Sequence, residues 1–553
     1  MPEKSIFRRK SISNVLKQSE DAHGESGLNK ILGVRDLTSF GIAAIIGAGI
    51  FSTIGRASFD GGPAVTLLFL FVSIACVFTA LCYAQFASMV PVSGSAYTYG
   101  YVSFGEIFAW VIGWALILEY AVSNMVVAIS WSEYFVSMLR GFGIIFPDFL
   151  TFDYGTAHRA FLLSQTEKLV GGDIAAAQAY INAPVIGSIH FLIDLPAGVI
   201  TMLVTALVYV GVKESRNVSN FLVALKLAVI LLVICVGAFY VKPDNWTPFA
   251  PNGSKGVLKG VALVFFAFIG FDSISTMAEE CKNPQRDLPR AMIYCLVICA
   301  VLYVMITLVL TGMVNYTELK VDDPLAYVFQ KVNLDFVAGV ISVSAVVAIT
   351  SALLVYQMGQ PRIWMSMSRD GLLWKRFSKI HPKFKTPSFS TIVTGFLVAI
   401  PSMFLDMGLV ADLTSVGTFF AFIVVCGGVL YLDYKGLSKD AKFKIPYLNG
   451  QYLVGGLLII TFSYAIYAND FTSEIALKPL LAVFWLVWAI LSVLAYQHKF
   501  SILPVLGILT NLYLMTELGY TNWMRFLIWL VIGLVIFFIY SRHHSKLNEK
   551  QIN

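Results

Sequence analysis

A lysine lies deep inside an apolar stretch of the chain, where it could bind and release a proton. Lys226 falls within the run 221–240, ten residues after Arg216, and no acidic residue lies near it in the sequence. Ten helical residues span about 15 Å, roughly half of the hydrocarbon core of a bilayer. A charge at this depth is costly unless it is paired, deprotonated or hydrated, so such a lysine can exchange a proton near neutral pH. This chemistry is typical of proton-coupled transport.

A carboxylate occupies a similar depth in another apolar run. Glu119 lies thirteen residues after Glu106, within residues 105–137. A buried carboxylate needs a partner or a proton. Glu119 could therefore partner Lys226, line a cavity or carry part of a proton path, and a purely structural hydrogen bond is the alternative.

Two apolar runs contain glycines near their middle, where a membrane helix could unwind. The first run carries Gly47-Ala48-Gly49, and the sixth carries Gly270, followed by Asp272. Glycines weaken a helix and permit tight turns, although they also permit close helix packing. Unwinding of the first run would turn free amides and the positive end of its outer half toward a substrate carboxylate. Asp272 is then predicted to cap the inner half of the sixth run.

Unwinding of the sixth run around 266–269 would free carbonyl oxygens as well. Together with the carbonyls near Ile45, they suit an α-ammonium group, so the two breaks would match the zwitterionic backbone of an amino acid. Gly47 and Ile50, which flank the first break, are included among the predicted substrate contacts. Paired, glycine-interrupted spans at corresponding positions of two halves are typical of inverted-repeat transporters.

Membrane-spanning helices must position these residues, and the composition predicts such helices. Hydrophobic residues make up 58% of the 553-residue chain and charged residues 13%, well outside the range of soluble domains. We therefore predict an all-α integral membrane protein. About fourteen apolar runs could cross a bilayer, at 37–58, 63–90, 105–137, 191–212, 217–241, 256–281, 289–314, 334–367, 388–406, 411–434, 452–469, 476–496, 500–517 and 522–541.

The basic residues predict the orientation of the chain. With the N-terminus inside, roughly 27 of the 39 Lys and Arg residues fall in cytoplasmic segments and about 11 in external ones. The basic clusters share one side only if the number of spans is even. Fourteen spans thus place both termini in the cytoplasm, in a plasma or inner membrane. The net charge of +6 reflects this topology, and no nucleic-acid binding is predicted.

One external segment, 138–190, is longer than a typical loop. It is predicted to contain a short helix at 173–182. Two interpretations stay open, a cap over the pore and an insertion with no transport role.

The cysteine and histidine residues indicate no cofactor chemistry. The seven Cys residues lie in spans or at their cytoplasmic ends, and no His lies deep in a span. The sequence therefore predicts no disulfide framework, no metal and no cofactor. A membrane enzyme would cluster such residues at one surface, so an enzyme is not predicted.

Four stretches of the chain carry family motifs. They are GVRDLTSFGIAAIIGAGIFSTIG at 33–55, PVSGSAYTYGY at 91–101, FFAFIGFDSISTMAEECKNPQRDLPR at 265–290 and GQPRIWMSMSRDGLL at 359–373. They resemble, in this order, the first span, the loop after the second span, the sixth span with its following loop, and the region after the eighth span of one group of transporters. This group is the bacterial type of the cationic amino acid transporter branch of the amino acid–polyamine–organocation superfamily.

The resemblance implies an architecture. It predicts a core of ten spans in two inverted repeats of five, with discontinuous helices one and six, followed by four additional C-terminal helices. The corresponding segments are a cytoplasmic tail at 1–36, repeats at 37–241 and 256–434, the additional helices at 452–541 and a cytoplasmic tail at 542–553.

The resemblance also implies which residues contact the substrate. In span one the family's contacts correspond to Ile45, Ala48 and Gly49. In span six they correspond to Phe266, Ala267 and Ile269, and the ring of Phe266 resembles the family's external gate.

Two further positions bear on coupling and specificity. Proton-coupled members carry a lysine in span five, where sodium-coupled relatives bind a cation beside the broken first span, and Lys226 matches this position. The cavity wall from span eight corresponds to the region of Ile349, whose bulk favours neutral over cationic side chains.

Together these observations predict a permease, a secondary active transporter that couples amino acid symport to protons by alternating access. An amino acid exchanger and a cationic amino acid uptake system are the alternatives, and a nutrient sensor without major flux is a more remote one. The expected partners are the amino acid, protons and membrane lipid. The sequence leaves open whether a small membrane subunit or a sterol also binds.

Overall fold

The computed structural model describes residues 7–12, 15, 30–92, 94–165, 169, 172–187, 189–210, 215–321, 323–439, 441–467 and 471–549. This part of the chain is almost entirely helical, and its one strand pair is a hairpin that joins Val185–Ile186 to Ile189–His190. Most of the predicted tail 1–36 lies outside the described residues, and the first membrane helix begins at Val34. We call the end that carries residues 138–190 the outer end, following the predicted orientation, and the opposite end the inner end.

Apolar helices occupy all fourteen predicted spans, which confirms the all-α membrane fold. Within the described part of the chain, nine helices are long and apolar enough to cross a bilayer, and four shorter apolar helices of 10–17 residues accompany them. One of the nine, Gly49–Met89, contains the outer half of span one together with span two. Spans two to five are Val65–Met89, Glu106–Gly141, Leu195–Val210 and Ser215–Gly237. Spans seven to ten are Pro284–Met313, Asp335–Arg369, Ser388–Ser402 and Met407–Tyr434, and spans eleven to fourteen are Leu453–Tyr467, Leu480–His498, Ile502–Thr516 and Tyr520–Ile536.

Spans one and six are both interrupted, as the glycines predicted. Span one consists of Val34–Ile45, a π-helical turn Gly49–Thr53 and Ile54–Gly61. Span six consists of Val261–Phe266, an irregular stretch that ends at Gly270, and a 3₁₀ helix Phe271–Glu280. Each span therefore has an inner and an outer half that meet near the middle of the molecule.

Smaller helices lie at both ends of the bundle. The outer segment between spans three and four contains Tyr154–Ser164 and Gly172–Asn182, so the predicted helix is confirmed and a second one accompanies it. The other helices longer than five residues are Ser95–Ser103, Gly253–Lys259, Pro324–Lys331 and Phe471–Leu477.

Burial separates central spans from peripheral ones. The apolar stretch of span six is completely buried and that of span three almost completely, whereas spans twelve and fourteen expose most of theirs. A helix that is apolar all round belongs in a core or in lipid. Span three packs against spans eight and ten, and span seven packs against spans one and two. The interrupted spans are thus enclosed by the others.

Span fourteen is bound to span three by two tryptophans, each of which donates a hydrogen bond to the backbone carbonyl of the other. The indole of Trp114 donates to the carbonyl of Trp529 at 2.8 Å, and the indole of Trp529 donates to the carbonyl of Trp114 at 3.0 Å. The two rings stack with their centroids 4.5 Å apart. Gly533 allows this approach, because a Cβ there would lie 2.3 Å from Trp114 Cδ1.

We expect Trp529→Ala to lower the thermal denaturation temperature of the detergent-purified protein by several degrees. The substitution removes one indole donor and the stacked ring, and it leaves a cavity beside span three. Ile528→Ala is the matched control, since Ile528 is exposed on the same helix. Equal denaturation temperatures for the two variants would show that the tryptophan pair does not hold span fourteen.

Candidate functional site

Lys226 reaches the break in span one and binds its free carbonyls. Its Nζ donates to the carbonyl oxygens of Ala43, at 2.9 Å, and Ile46, at 2.6 Å, and the side chain is completely buried. These oxygens are free because the inner half-helix ends at Ile45, and the last carbonyls of a helix have no partner within it. The negative end of a helix dipole also attracts a cation. The lysine therefore caps the inner half of span one from span five.

Two tyrosines bind the carbonyls of the breaks in the same way. Tyr303 of span seven donates its hydroxyl to Ile45 O at 2.8 Å, and Tyr356 of span eight donates to Ile269 O at 3.2 Å. The sequence analysis missed both residues. The available signal was a phenol in the middle of an apolar run, where its hydroxyl needs a partner.

The two breaks touch each other through glycines. A Cβ at Gly49 would lie 2.3 Å from Ala267 Cα, and a Cβ at Gly270 would lie 2.7 Å from Ala44 Cβ. Gly270 also has φ +124°, a conformation that side chains disfavour. The close-packing interpretation of these glycines is therefore correct alongside the helix breaks, and spans one and six are in contact at the predicted substrate residues.

The remaining predicted contacts surround this junction. Ala48, Ile50, Phe266 and Ile269 are all buried. Ile349 is buried in span eight, one turn before Ala352, whose Cβ lies 2.9 Å from the position of a Cβ at Gly47. Span eight thus lies beside the break in span one at Ala352.

Glu119 lies in a different polar cluster from Lys226. It is buried beside Thr418 of span ten and Asp272 of span six, while the lysine donates to span one. Asp272 accepts the hydroxyl of Tyr120 at 3.5 Å. Gly270 occupies the N-cap position of the inner half of span six, and the carboxylate of Asp272 in the first turn interacts with backbone N–H groups at this helix start, as the predicted capping role requires. A carboxylate in the first turn also complements the helix dipole.

The outer half of span one is bound to span three. The hydroxyl of Tyr134 donates to Phe51 O at 2.7 Å, and its ring contacts the Phe51 ring edge-on. Ser52 and Ser130 share a hydrogen bond. The two halves of span one therefore have different neighbours on the two sides of the break.

A cavity of about 390 Å³ lies above the junction, toward the outer end. Its deeper wall includes Ser52 and Thr53 of span one, Ile129 of span three and Leu263 of span six. Pockets for small molecules measure about 300–1,000 Å³, so an amino acid fits this space. Phe266, the proposed gate of the sequence analysis, follows Leu263 by one turn toward the break and is buried, and it is not among the residues that line the cavity.

The inner end is closed by contacts between span six and its neighbours. Arg362 of span eight pairs with Glu280, and Arg369 pairs with Glu279 at 3.4 Å. The backbone of Leu32 also binds Glu280 and Lys282. These contacts close the molecule at the inner end of spans six and eight.

This arrangement of two touching broken helices, with a lysine at the first break, defines a membrane transporter of the inverted-repeat class. The chain belongs to the amino acid permease family: residues 32–491 match the family described as "Amino acid permease", and residues 501–545 match the one described as "C-terminus of AA_permease". Proteins of this family are not enzymes.

Three relatives are similar over nearly their whole length. The chain is 39% identical to the branched-chain amino acid permease BcaP of Bacillus subtilis, covering 99% of each protein. It is 37% identical to the methylthioribose transporter of the same organism, covering 99% of this chain and all of the relative. It is 31% identical to the vacuolar cationic amino acid transporter 4 of Arabidopsis thaliana, covering 99% of this chain and 97% of the relative.

We expect Gly49→Ala to abolish uptake of labelled amino acid into proteoliposomes and to destabilise the protein. The added methyl group collides with the backbone of Ala267, which cannot rotate away, and overpacking of this kind costs about 1–3 kcal/mol. Gly339→Ala in span eight is the control, because nothing lies within 4 Å of its Cβ position. Normal uptake by Gly49→Ala would mean that spans one and six do not need this contact.

Proposed function

We propose that this permease is a proton-coupled symporter of neutral amino acids that works by alternating access. The observation that carries the proposal is the contact of a fully buried ammonium with two carbonyls at the break of span one. A second candidate, exchange of amino acids without net proton movement, would use the same binding residues and leave Lys226 as a structural cation.

The coupling follows from the strength of these hydrogen bonds. An ammonium group has three N–H donors, and charge makes its hydrogen bonds about twice as strong as neutral ones. Loss of the proton would weaken the hold of Lys226 on Ala43 and Ile46 and release the inner half of span one. A group that binds its proton more tightly in one conformation than in another links protonation to the conformational change.

The substrate is proposed to bind across both breaks. The amides of Gly47, Ala48 and Gly49 would hold its carboxylate at the positive end of the outer half-helix. Carbonyls near Ile45 and between Phe266 and Ile269 would accept its ammonium group. Tyr303 and Tyr356 position two of these carbonyls, so they are proposed as positioning residues.

The side chain of the substrate is proposed to be neutral. Ile50, Phe266 and Ile349 are buried apolar residues of spans one, six and eight, and a bulky residue at 349 would limit the room for a long cationic side chain. The likeness to a branched-chain amino acid permease supports this assignment, whereas the likeness to cationic amino acid transporters supports the alternative. Phe266 is proposed as the external gate and Glu119 as a further part of the proton path.

The orientation completes the proposal. The basic residues support a multi-pass protein of the cell membrane with both termini in the cytoplasm. The outer cavity would then face the cell exterior and take up the amino acid from there.

Uptake into proteoliposomes tests the function. Labelled leucine, alanine and arginine are offered with and without an inward proton gradient, and unlabelled methylthioribose is added as a competitor. Concentrative uptake of leucine that collapses with a protonophore supports symport. Uptake that ignores the gradient but requires internal amino acid means exchange. Preference for arginine, or strong competition by methylthioribose, would overturn the substrate assignment.

We expect Lys226→Met to lose gradient-driven accumulation by about tenfold or more, within the usual range of coupling between two sites. Methionine keeps the length of the side chain but cannot carry the proton or bind the carbonyls. Lys242→Met, at an exposed outer position, is the control. A Lys226→Met protein that still accumulates leucine in response to a pH gradient would disprove the coupling role.

We expect isopentylamine, which is leucine without its carboxylate, to compete with leucine about 10- to 100-fold more weakly than leucine itself. The span-one amides would lose the anion that they bind, and an unsatisfied buried partner costs about 1–3 kcal/mol. The measurement is inhibition of labelled leucine uptake. Equal inhibition by the amine would show that these amides do not hold the carboxylate.

A further inference from the structure

The outer segment between spans three and four folds as a unit of its own. Helix Tyr154–Ser164 packs against helix Gly172–Asn182 around small residues, among them Ala157 and Ala179. The ring of Tyr180 stacks on Phe161 and His190 at centroid distances of 4.9 and 4.1 Å. An ordered pair of helices has a surface that can make defined contacts. We call these two helices the lid.

The lid covers the outer cavity. Thr156, Ala160 and Leu163 of its first helix and Ala176 of its second line the cavity. The opposite wall is the outer half of span one and span six, which leads to the junction of the breaks. The lid therefore forms one wall of the space that lies between the outer surface and the junction.

Two ion pairs attach the lid to the rest of the outer surface. Arg159 of the first helix pairs with Asp406, the N-cap residue of span ten. Asp173 of the second helix pairs with Lys320, which precedes span eight, at 2.6 Å, and the amide of Gly172 donates to Lys320 O at 3.4 Å. Both pairs are partly exposed, and such pairs are weak enough to break and form again during a transport cycle.

The connections of the lid can act as hinges. Gly143, before the lid, has φ +76°, and Gly187, after it, has φ +68°. No atom of the described residues lies within 4 Å of a Cβ position at either glycine. A few loop residues with free backbone rotation are sufficient for closure of a lid. At its ends the lid packs against Phe149, Phe152 and Leu192, and the two ion pairs hold its helices to the residues before spans eight and ten.

We propose that the lid is an outer gate, held closed by the Arg159–Asp406 and Asp173–Lys320 pairs, that must lift before an amino acid enters the cavity. The proposal rests on the proposed function in one respect, since it takes the outer cavity as the access route of the substrate. It assigns a transport role to the segment for which the sequence left two interpretations open.

A reversible crosslink tests whether the lid must move. Asp173→Cys and Lys320→Cys are introduced together with Cys235→Ser, which removes the exposed native thiol. A cleavable bifunctional thiol reagent then joins the two new cysteines. We expect crosslinking to reduce leucine uptake by about tenfold or more, and cleavage to restore it, because a closed lid blocks access. Full uptake by the crosslinked protein would overturn the proposal.

A labelling experiment tests the lid without measuring transport. Val136→Cys places a reporter thiol in the wall of the cavity, and its reaction with a membrane-impermeant maleimide reports access. We expect Lys320→Asp to speed labelling several-fold, because it turns the Asp173 pair into a repulsion. Adding Asp173→Lys to it restores the pair with reversed charges and should return the labelling rate to the original value.

The labelling control breaks an ion pair elsewhere on the outer surface. Lys331→Glu disrupts the pair that Lys331 forms with Glu318 at 2.6 Å, which does not line the cavity, and it should leave the labelling rate unchanged. Equal labelling rates for all variants would show that the lid does not move and would disprove its role as a gate. If the uncrosslinked protein takes up no amino acid, the proposed function fails, and the labelling series still decides the role of the lid.

Discussion

The structure depends on one interaction, the bond between a buried ammonium and the end of a helix in another span. Interrupting a helix inside a membrane leaves carbonyls without partners, and each of them is costly in the absence of water. Lys226 satisfies two of these carbonyls and Tyr303 a third. The hydrogen bonds between them thus lower both the free-energy cost of the broken helix and that of the buried charge. Neither feature would be stable in this position without the other.

This interaction explains why polar side chains of the neighbouring spans lie next to the breaks, while the rest of the core is apolar. Spans seven and eight each supply a tyrosine to a carbonyl of the breaks, while their other faces pack as ordinary apolar helices. Spans one and six approach to backbone contact because glycines stand at the crossing points. The junction is therefore closely packed where it would hold a substrate backbone.

The sequence predicted the buried lysine and the two helix breaks because each of them follows from one short stretch of residues. The depth of Lys226 follows from counting along one apolar run, and the breaks follow from Gly47, Gly49 and Gly270. Contacts between distant spans could not be predicted in the same way. The sequence left several roles open for Glu119, among them that of a partner of Lys226, and only the fold places it beside Thr418 instead. The pairs of Arg159 and Asp173 join residues that are 247 and 147 positions apart, so no pattern in the sequence indicates them.

The hydrogen bonds of span one divide it between two sets of neighbours. Its inner half bonds to spans five and seven through Lys226 and Tyr303, and its outer half bonds to span three through Tyr134. The joint between them, at Ile46 and Gly47, is a bend without helical structure. One continuous stretch of chain therefore behaves as two mechanical parts, and either part can tilt with its own neighbours while the other stays in place. A transporter built in this way can open one side of its binding site without first releasing the other.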